Sequence, residues 1–138
     1  MNRHLLRQVR ERAGDRCEYC QMPRTCDPLP FQIDHIIAQQ HDGATILENL
    51  AWSCLHCNKH KGPNVAGVDP ASKQVVPLFH PRHQQWSRHF RWNEAMLIGL
   101  TKTGRATIRV LAINEPDAVA FRADLIEEGV YFREVGGN

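Results

Sequence analysis

Two Cys-x-x-Cys pairs, Cys17/Cys20 and Cys54/Cys57, bracket an Asp34-His35 dipeptide, and the second pair runs directly into Asn58. Four thiolates from two such pairs close a tetrahedral zinc shell with bonds of about 2.3 Å. A closed shell leaves no open position, so the Zn²⁺ expected here is structural. It would pin the segment between the pairs, in a chain whose 138 residues suit one domain or a small domain with an extension. Five cysteines could also be read as two disulfides and a spare, but the two-residue spacing within each pair favours metal in a reducing compartment. Cys26 lies outside both pairs and reads as an ordinary free thiol.

No apolar run approaches the roughly 18 residues of a membrane span, and no apolar leader follows Met-Asn-Arg-His. The expected location is the cytoplasm. The net charge of +2 is unevenly spread. Residues 1–109 hold 15 Lys/Arg against 9 Asp/Glu, and residues 110–138 hold 2 against 6. A basic body with an acidic terminal segment suits a polyanion-binding face, although an ordinary mixed surface would look much the same.

Leu5, Leu6, Val9 and Ala13 recur at helical period, so residues 2–14 are expected to be helical, with Gly14 closing the element. Pro23, Pro28 and Pro30 make 21–30 a loop. Residues 31–37 read as a strand with Phe31 and Ile33 inward and Gln32 and Asp34 outward. A second strand follows Glu48, and a helix is expected from Cys54 to about Lys61, stopped by Gly62-Pro63. Residues 63–81 read as an extended connector. Beyond it come strands at 86–92 and 95–101, a helix over 104–113 capped by Thr103, and a helix opened by Pro116 and closed by Gly129. The division expected is a core at 1–63 and a C-terminal extension at 64–138, packed on the core.

Four blocks stand in order: Cys17-x-x-Cys20, Ile33-Asp34-His35-Ile36-Ile37, Glu48-Asn49-Leu50 and Cys54-x-x-Cys57-Asn58-x-x-Lys61-Gly62. Together they resemble the HNH endonucleases, and in particular the subset carrying a four-cysteine zinc. The resemblance covers about residues 3–62. It implies an α+β chain with a ββα-metal (His-Me finger) core: a hairpin carrying the catalytic His, then a helix supplying a metal ligand. A further block, Leu78-Phe79-His80-Pro81-Arg82 through Thr107, is similar to the C-terminal extension of bacterial members and implies no stated role.

The chemistry suits those residue types. Phosphodiester hydrolysis needs an activated water and stabilisation of charge on the phosphorane and leaving oxygen. Imidazole is the natural base near neutrality, which assigns His35. Asp34 and Asn58 offer oxygen ligands to a hard cation, Mg²⁺ or Mn²⁺. Many members have His where this chain has Asn58, and an oxygen ligand there favours those ions. Asn49 matches the family's middle Asn, whose implied role is to pin the catalytic loop through backbone hydrogen bonds. His56 and His60, flanking Asn58, read as surface residues. The glycine pair common in the family's turn is here Gly43-Ala44, and a positive φ at the second position would strain Ala44.

The function implied is a metal-dependent endonuclease acting on DNA and leaving 5′-phosphate and 3′-hydroxyl ends. The alternative is a zinc-stabilised nucleic-acid-binding module without catalysis. Lys59 and Lys61, beside the site, are phosphate-contact candidates, as are Arg7 and Arg10 on the first helix together with Arg3 and Arg12. Cations and aromatics interleave from Arg82 to Trp92, yet Trp86, Phe90 and Trp92 read more readily as core than as base-stacking groups.

Overall fold

The structure is a computed structural model that describes residues 1–130; residues 131–138, the end of the expected extension, lie outside the described residues. The first helix, α1 (Arg3–Arg12), buries Val9 and half-buries Leu5, while Leu6 faces solvent, so the apolar stripe is narrower than its sequence implies. Asn2 caps it by accepting from Leu5 N at 2.7 Å. Gly14, at φ +65°, ends it in the left-handed conformation that glycine adopts without strain.

Strands β1 (Gln32–His35) and β2 (Leu50–Ser53) form an antiparallel hairpin in which Asp34 faces Ala51 and His35 faces Leu50. Helix α2 (Leu55–Lys61) leaves β2 at Cys54, whose sulfur accepts from Cys57 N and caps the helix. Strand, strand and helix thus follow in the order expected of a ββα core. Strand β1 ends at His35, two residues earlier than the apolar run suggested.

The connector is more ordered than its composition implies. It holds a second hairpin, β3 (Ala66–Val68) with β4 (Val75–Pro77). Asp69 governs its turn: the carboxylate accepts from Ala71 N, from Ser72 N and Oγ, and from Arg105. The Arg105 guanidinium holds that carboxyl well below the usual carboxylate range.

The segment 86–92 begins not as a strand but as a short helix, α3 (Trp86–His89), because Trp86 turns its indole N–H back to Tyr19 O at 2.8 Å. Only then does it extend into β5 (Phe90–Asn93), which pairs with β6 (Met96–Gly99). Helix α4 (Lys102–Val110) is capped by Thr101 rather than Thr103: Thr101 Oγ1 accepts from Gly104 N, whereas Thr103 donates to Pro77 O. Helix α5 (Pro116–Glu127) opens on its proline. No helix among the described residues is long and apolar enough to cross a membrane.

Among the described residues each sheet has two strands, an arrangement that is marginal alone in water. One apolar cluster joins them. Val9, Tyr19 and Leu50 from the first half meet Phe79, Phe90, Leu97, Leu111 and Ile113 from the second. Trp86 and Trp92 pack against it half-buried, and Phe90 is fully inside.

Candidate active site and metal centre

Cys17, Cys20, Cys54 and Cys57 are buried, and their sulfurs lie within 4.8 Å of one another. Cys20 Sγ and Cys54 Sγ are 3.7 Å apart, which matches the edge of about 3.8 Å that a tetrahedron of ~2.3 Å zinc–sulfur bonds requires. Cys20 N points at Cys17 Sγ and Cys57 N at Cys54 Sγ, at 3.5 and 3.4 Å, so backbone donors already face the sulfurs that would carry negative charge. Burial pushes the Cys17 thiol up, but hydrogen bonds from Cys20, Cys54 and Cys57 outweigh it and hold Cys17 low, while Cys54 and Cys57 are driven up against it. Four adjacent thiols cannot all ionise unaided, and a divalent cation removes the conflict. The four residues are positioned for zinc. Cys26 stands apart, half-buried against the core.

Asp34, His35 and Asn58 line one open cleft of about 370 Å³ together with Ile33, Gln39 and Gly62. His35 Nε2 is 2.9 Å from Thr45 Oγ1, in the loop between the strands. Asn49, 8% exposed, ties that loop down: Oδ1 accepts from Ile37 N at 2.9 Å, and Nδ2 donates to Ile37 O and Ala44 O at 3.0 and 2.9 Å. Its backbone carbonyl also accepts from Ile36 N. Asp42, not Ala44, takes the positive φ in this turn, so the expected strain at Ala44 does not arise. Gly43 is irreplaceable for a different reason: a Cβ there would sit 1.7 Å from Ile37 O.

Asp34 is the reverse of the outward residue expected on β1. It is 4% exposed, accepting from Tyr19 Oη at 2.6 Å and from Lys61 Nζ at 3.2 Å. Burial pushes its carboxyl up, and Lys61 and Tyr19 oppose that rise. Lys61 is the clearest correction. Expected to meet phosphate, it is 2% exposed, and its ammonium is spent on Asp34, His35 O and Ile36 O. The buried carboxylate draws it inward from the last turn of α2. Lys59, Arg7 and Arg10 are exposed, whereas Arg12 is committed to Leu47 O and Leu50 O, and Arg82 to Leu50 O and Glu18.

Asn58 donates through Nδ2 to Gln32 Oε1, which turns its Oδ1 away as a free acceptor. Residues that sequence reasoning passed over therefore complete the site: Tyr19 behind Asp34, Thr45 beside His35 and Gln32 beside Asn58. Gln32 was in principle findable, since strand period 2 places it on the same side as Asp34. Tyr19 gave no signal beyond its place inside the first cysteine pair. His56 and His60, expected at the surface, are half-buried and hydrogen-bonded.

The geometry combines a hairpin, a following helix, a four-sulfur cluster and an imidazole–carboxylate–carboxamide cleft. Over 118 residues the chain is 23% identical to the Septu protein PtuB of Bacillus thuringiensis, an alignment covering 84% of this chain and 43% of that protein, so the chain spans less than half the relative's length. Residues 17–64 match the HNH endonuclease family, and this part of the chain is an HNH domain.

Proposed function

We propose that the chain is a metal-dependent nuclease that hydrolyses DNA phosphodiester bonds, with His35 as general base and one Mg²⁺ or Mn²⁺ held by Asp34 and Asn58. The observation that carries this reading is the single cleft lined by all three residues. The donor set fits a hard cation. A carboxylate has about four acceptor sites, and Tyr19 and Lys61 occupy Asp34 without exhausting it. Asn58 Oδ1 is left uncommitted by the bond to Gln32. A divalent ion bound there supplies Lewis-acid stabilisation of the phosphorane and the leaving oxygen.

The chain's own residues do the rest. In the tautomer that carries its proton on Nε2 and donates it to Thr45 Oγ1, the His35 lone pair stands on Nδ1, the atom that would take the proton of the attacking water. Asn49 keeps the loop carrying Thr45 in register with β1. Tyr19 and Lys61 hold the Asp34 carboxylate in one orientation. Exposed Arg7, Arg10 and Lys59 are the phosphate-binding candidates that remain once Lys61 is assigned to the interior. A reducing cytoplasm is the setting in which the four clustered cysteines would stay available to metal.

The test is cleavage of supercoiled plasmid with added Mg²⁺ or Mn²⁺. Products should carry 5′-phosphate and 3′-hydroxyl ends, and His35→Ala should lower the rate by roughly 10²–10⁴-fold. Full activity in that variant would refute the base assignment. Salt-sensitive DNA binding with no metal-stimulated scission would favour the non-catalytic binding module instead.

A further inference from the structure

Helix α2 has a second polar face, turned away from the cleft. His56 and His60 are one turn apart and share a side of the helix, while Asn58, two residues from each, lies about 200° round. The His56 and His60 rings are 4.3 Å apart between centroids. One ring nitrogen of each histidine and a carboxylate oxygen of Glu115, the residue that precedes α5, fall within 4.8 Å of one another.

The hydrogen bonds of the two rings decide what they can do. His56 Nε2 is 2.8 Å from Ala112 O, and His60 Nδ1 is 2.8 Å from His56 O. A backbone carbonyl only accepts, so each of those nitrogens carries the proton. The lone pairs are therefore fixed on His56 Nδ1 and His60 Nε2. An imidazole whose second nitrogen donates to a backbone carbonyl is the arrangement in which metal-bound histidines are held. Glu115 makes no capping bond with its own helix and is exposed, so its carboxylate can turn toward the pair. Asp117 and Asp27 line the same pocket as His56 and Glu115 and add negative potential.

We propose that His56, His60 and Glu115 form a second transition-metal site, on the reverse face of α2, that takes a borderline divalent ion such as Zn²⁺ or Ni²⁺. Two imidazoles and one carboxylate leave a coordination position open to water or an exogenous ligand. The soft sulfur shell beside it is closed, and the cleft of Asp34 and Asn58 offers oxygen to hard cations, so the three donor sets differ in preference. The ion would clip α2 to the turn between α4 and α5, joining the HNH helix to the C-terminal segment. The site does not depend on the nuclease reading.

The experiment uses the full zinc-loaded chain, treated with a mild chelator that leaves the four-cysteine ion in place. Zn²⁺ or Ni²⁺ is then titrated by calorimetry, with metal content measured after dialysis. About one further equivalent should bind and raise the thermal midpoint. Glu115→Gln, at an exposed position that the fold does not need, should weaken binding by about tenfold or more. His60→Ala should abolish the extra equivalent while the sulfur-bound zinc remains. Asn58→Ala should leave it intact. No additional equivalent in the wild type, or full retention in both His60→Ala and Glu115→Gln, would overturn the proposal. Loss in Asn58→Ala alone would assign the ion to the cleft and equally overturn it.

Discussion

Lys61 shows how a charge near a candidate active site can be mistaken for a substrate contact. Its position, three residues past Asn58, resembles that of a phosphate-binding cation, yet its ammonium is closed in by Asp34 and two carbonyls. Lys61→Ala would strand the Asp34 carboxylate in the interior, and breaking a buried pair from one side costs about 3–5 kcal/mol. Urea unfolding should show a loss of that order, and Lys61→Arg should not restore it fully, because a planar guanidinium fork does not reproduce the contacts of one ammonium with Asp34, His35 O and Ile36 O. Exposed Arg7, Arg10 and Lys59 should behave differently. Replacing any of them that touches phosphate should leave stability unchanged and flatten the salt dependence of DNA binding by roughly 0.9 in logarithmic slope. Fluorescence anisotropy across a salt series checks this.

At the scale of elements, Asn49 makes the most side-chain bonds within the loop between β1 and β2, with Arg12 and His35 adding one contact each to Leu47 O and Thr45. Asn49 reaches across to Ile37 and Ala44, and Gly43 packs flat beneath it, with its Cβ position 2.9 Å from Asn49 Nδ2. Gly43→Ala should therefore push the loop off Asn49, and both it and Asn49→Ala should cut cleavage, with the sulfur-bound metal retained. Metal analysis alongside the plasmid assay separates the two effects. The β3–β4 hairpin depends likewise on Asp69. Its carboxyl is depressed in the folded state, so the stability it confers is present above the ordinary value of about 3.9 and is lost as pH falls through the folded value. Asp69→Asn should speed amide exchange across β3 and β4 at neutral pH, and the gap to wild type should narrow in acid.

These two loops also mark what the chain's letters disclose. The cysteine pairs, β1, β2 and α2 were readable because spacing and alternation are local. So was α5, which Pro116 opens and Gly129 follows, and so was the existence of α4, although Thr101 and not Thr103 caps it. The burial of Asp34 was not, since it depends on Tyr19 and Lys61 arriving from elsewhere in the fold. The hairpin at 66–77 was hidden for the same reason: its turn is stabilised by Arg105, 36 residues away, while its own sequence reads as connector.

At the scale of the molecule, the three two-stranded sheets and single core cluster of the described residues leave little reserve if the sulfur cluster fails. Structural zinc in small domains contributes apparent folding free energies of about 10–16 kcal/mol. Strong chelation should accordingly abolish the cooperative thermal transition, read by near-ultraviolet circular dichroism of the buried aromatics, and re-added Zn²⁺ should restore it.

The Arg122 guanidinium of α5 gives that dependence a longer reach. It is almost fully enclosed, donates to Ala95 O and Ile113 O, and lies over the Trp92 ring at 5.3 Å. Burial pulls its pKa down, and the sulfurs of Cys20, Cys57 and Cys54 pull it back up. A zinc ion with four thiolates carries two net negative charges, and Arg122 is the counterweight placed beside them. Strip the ion and protonate the sulfurs, and an enclosed cation is left facing neutral thiols. Helix α5 would then have reason to let go of the body, so that a redox or chelation event at residue 17 would be felt more than a hundred positions downstream.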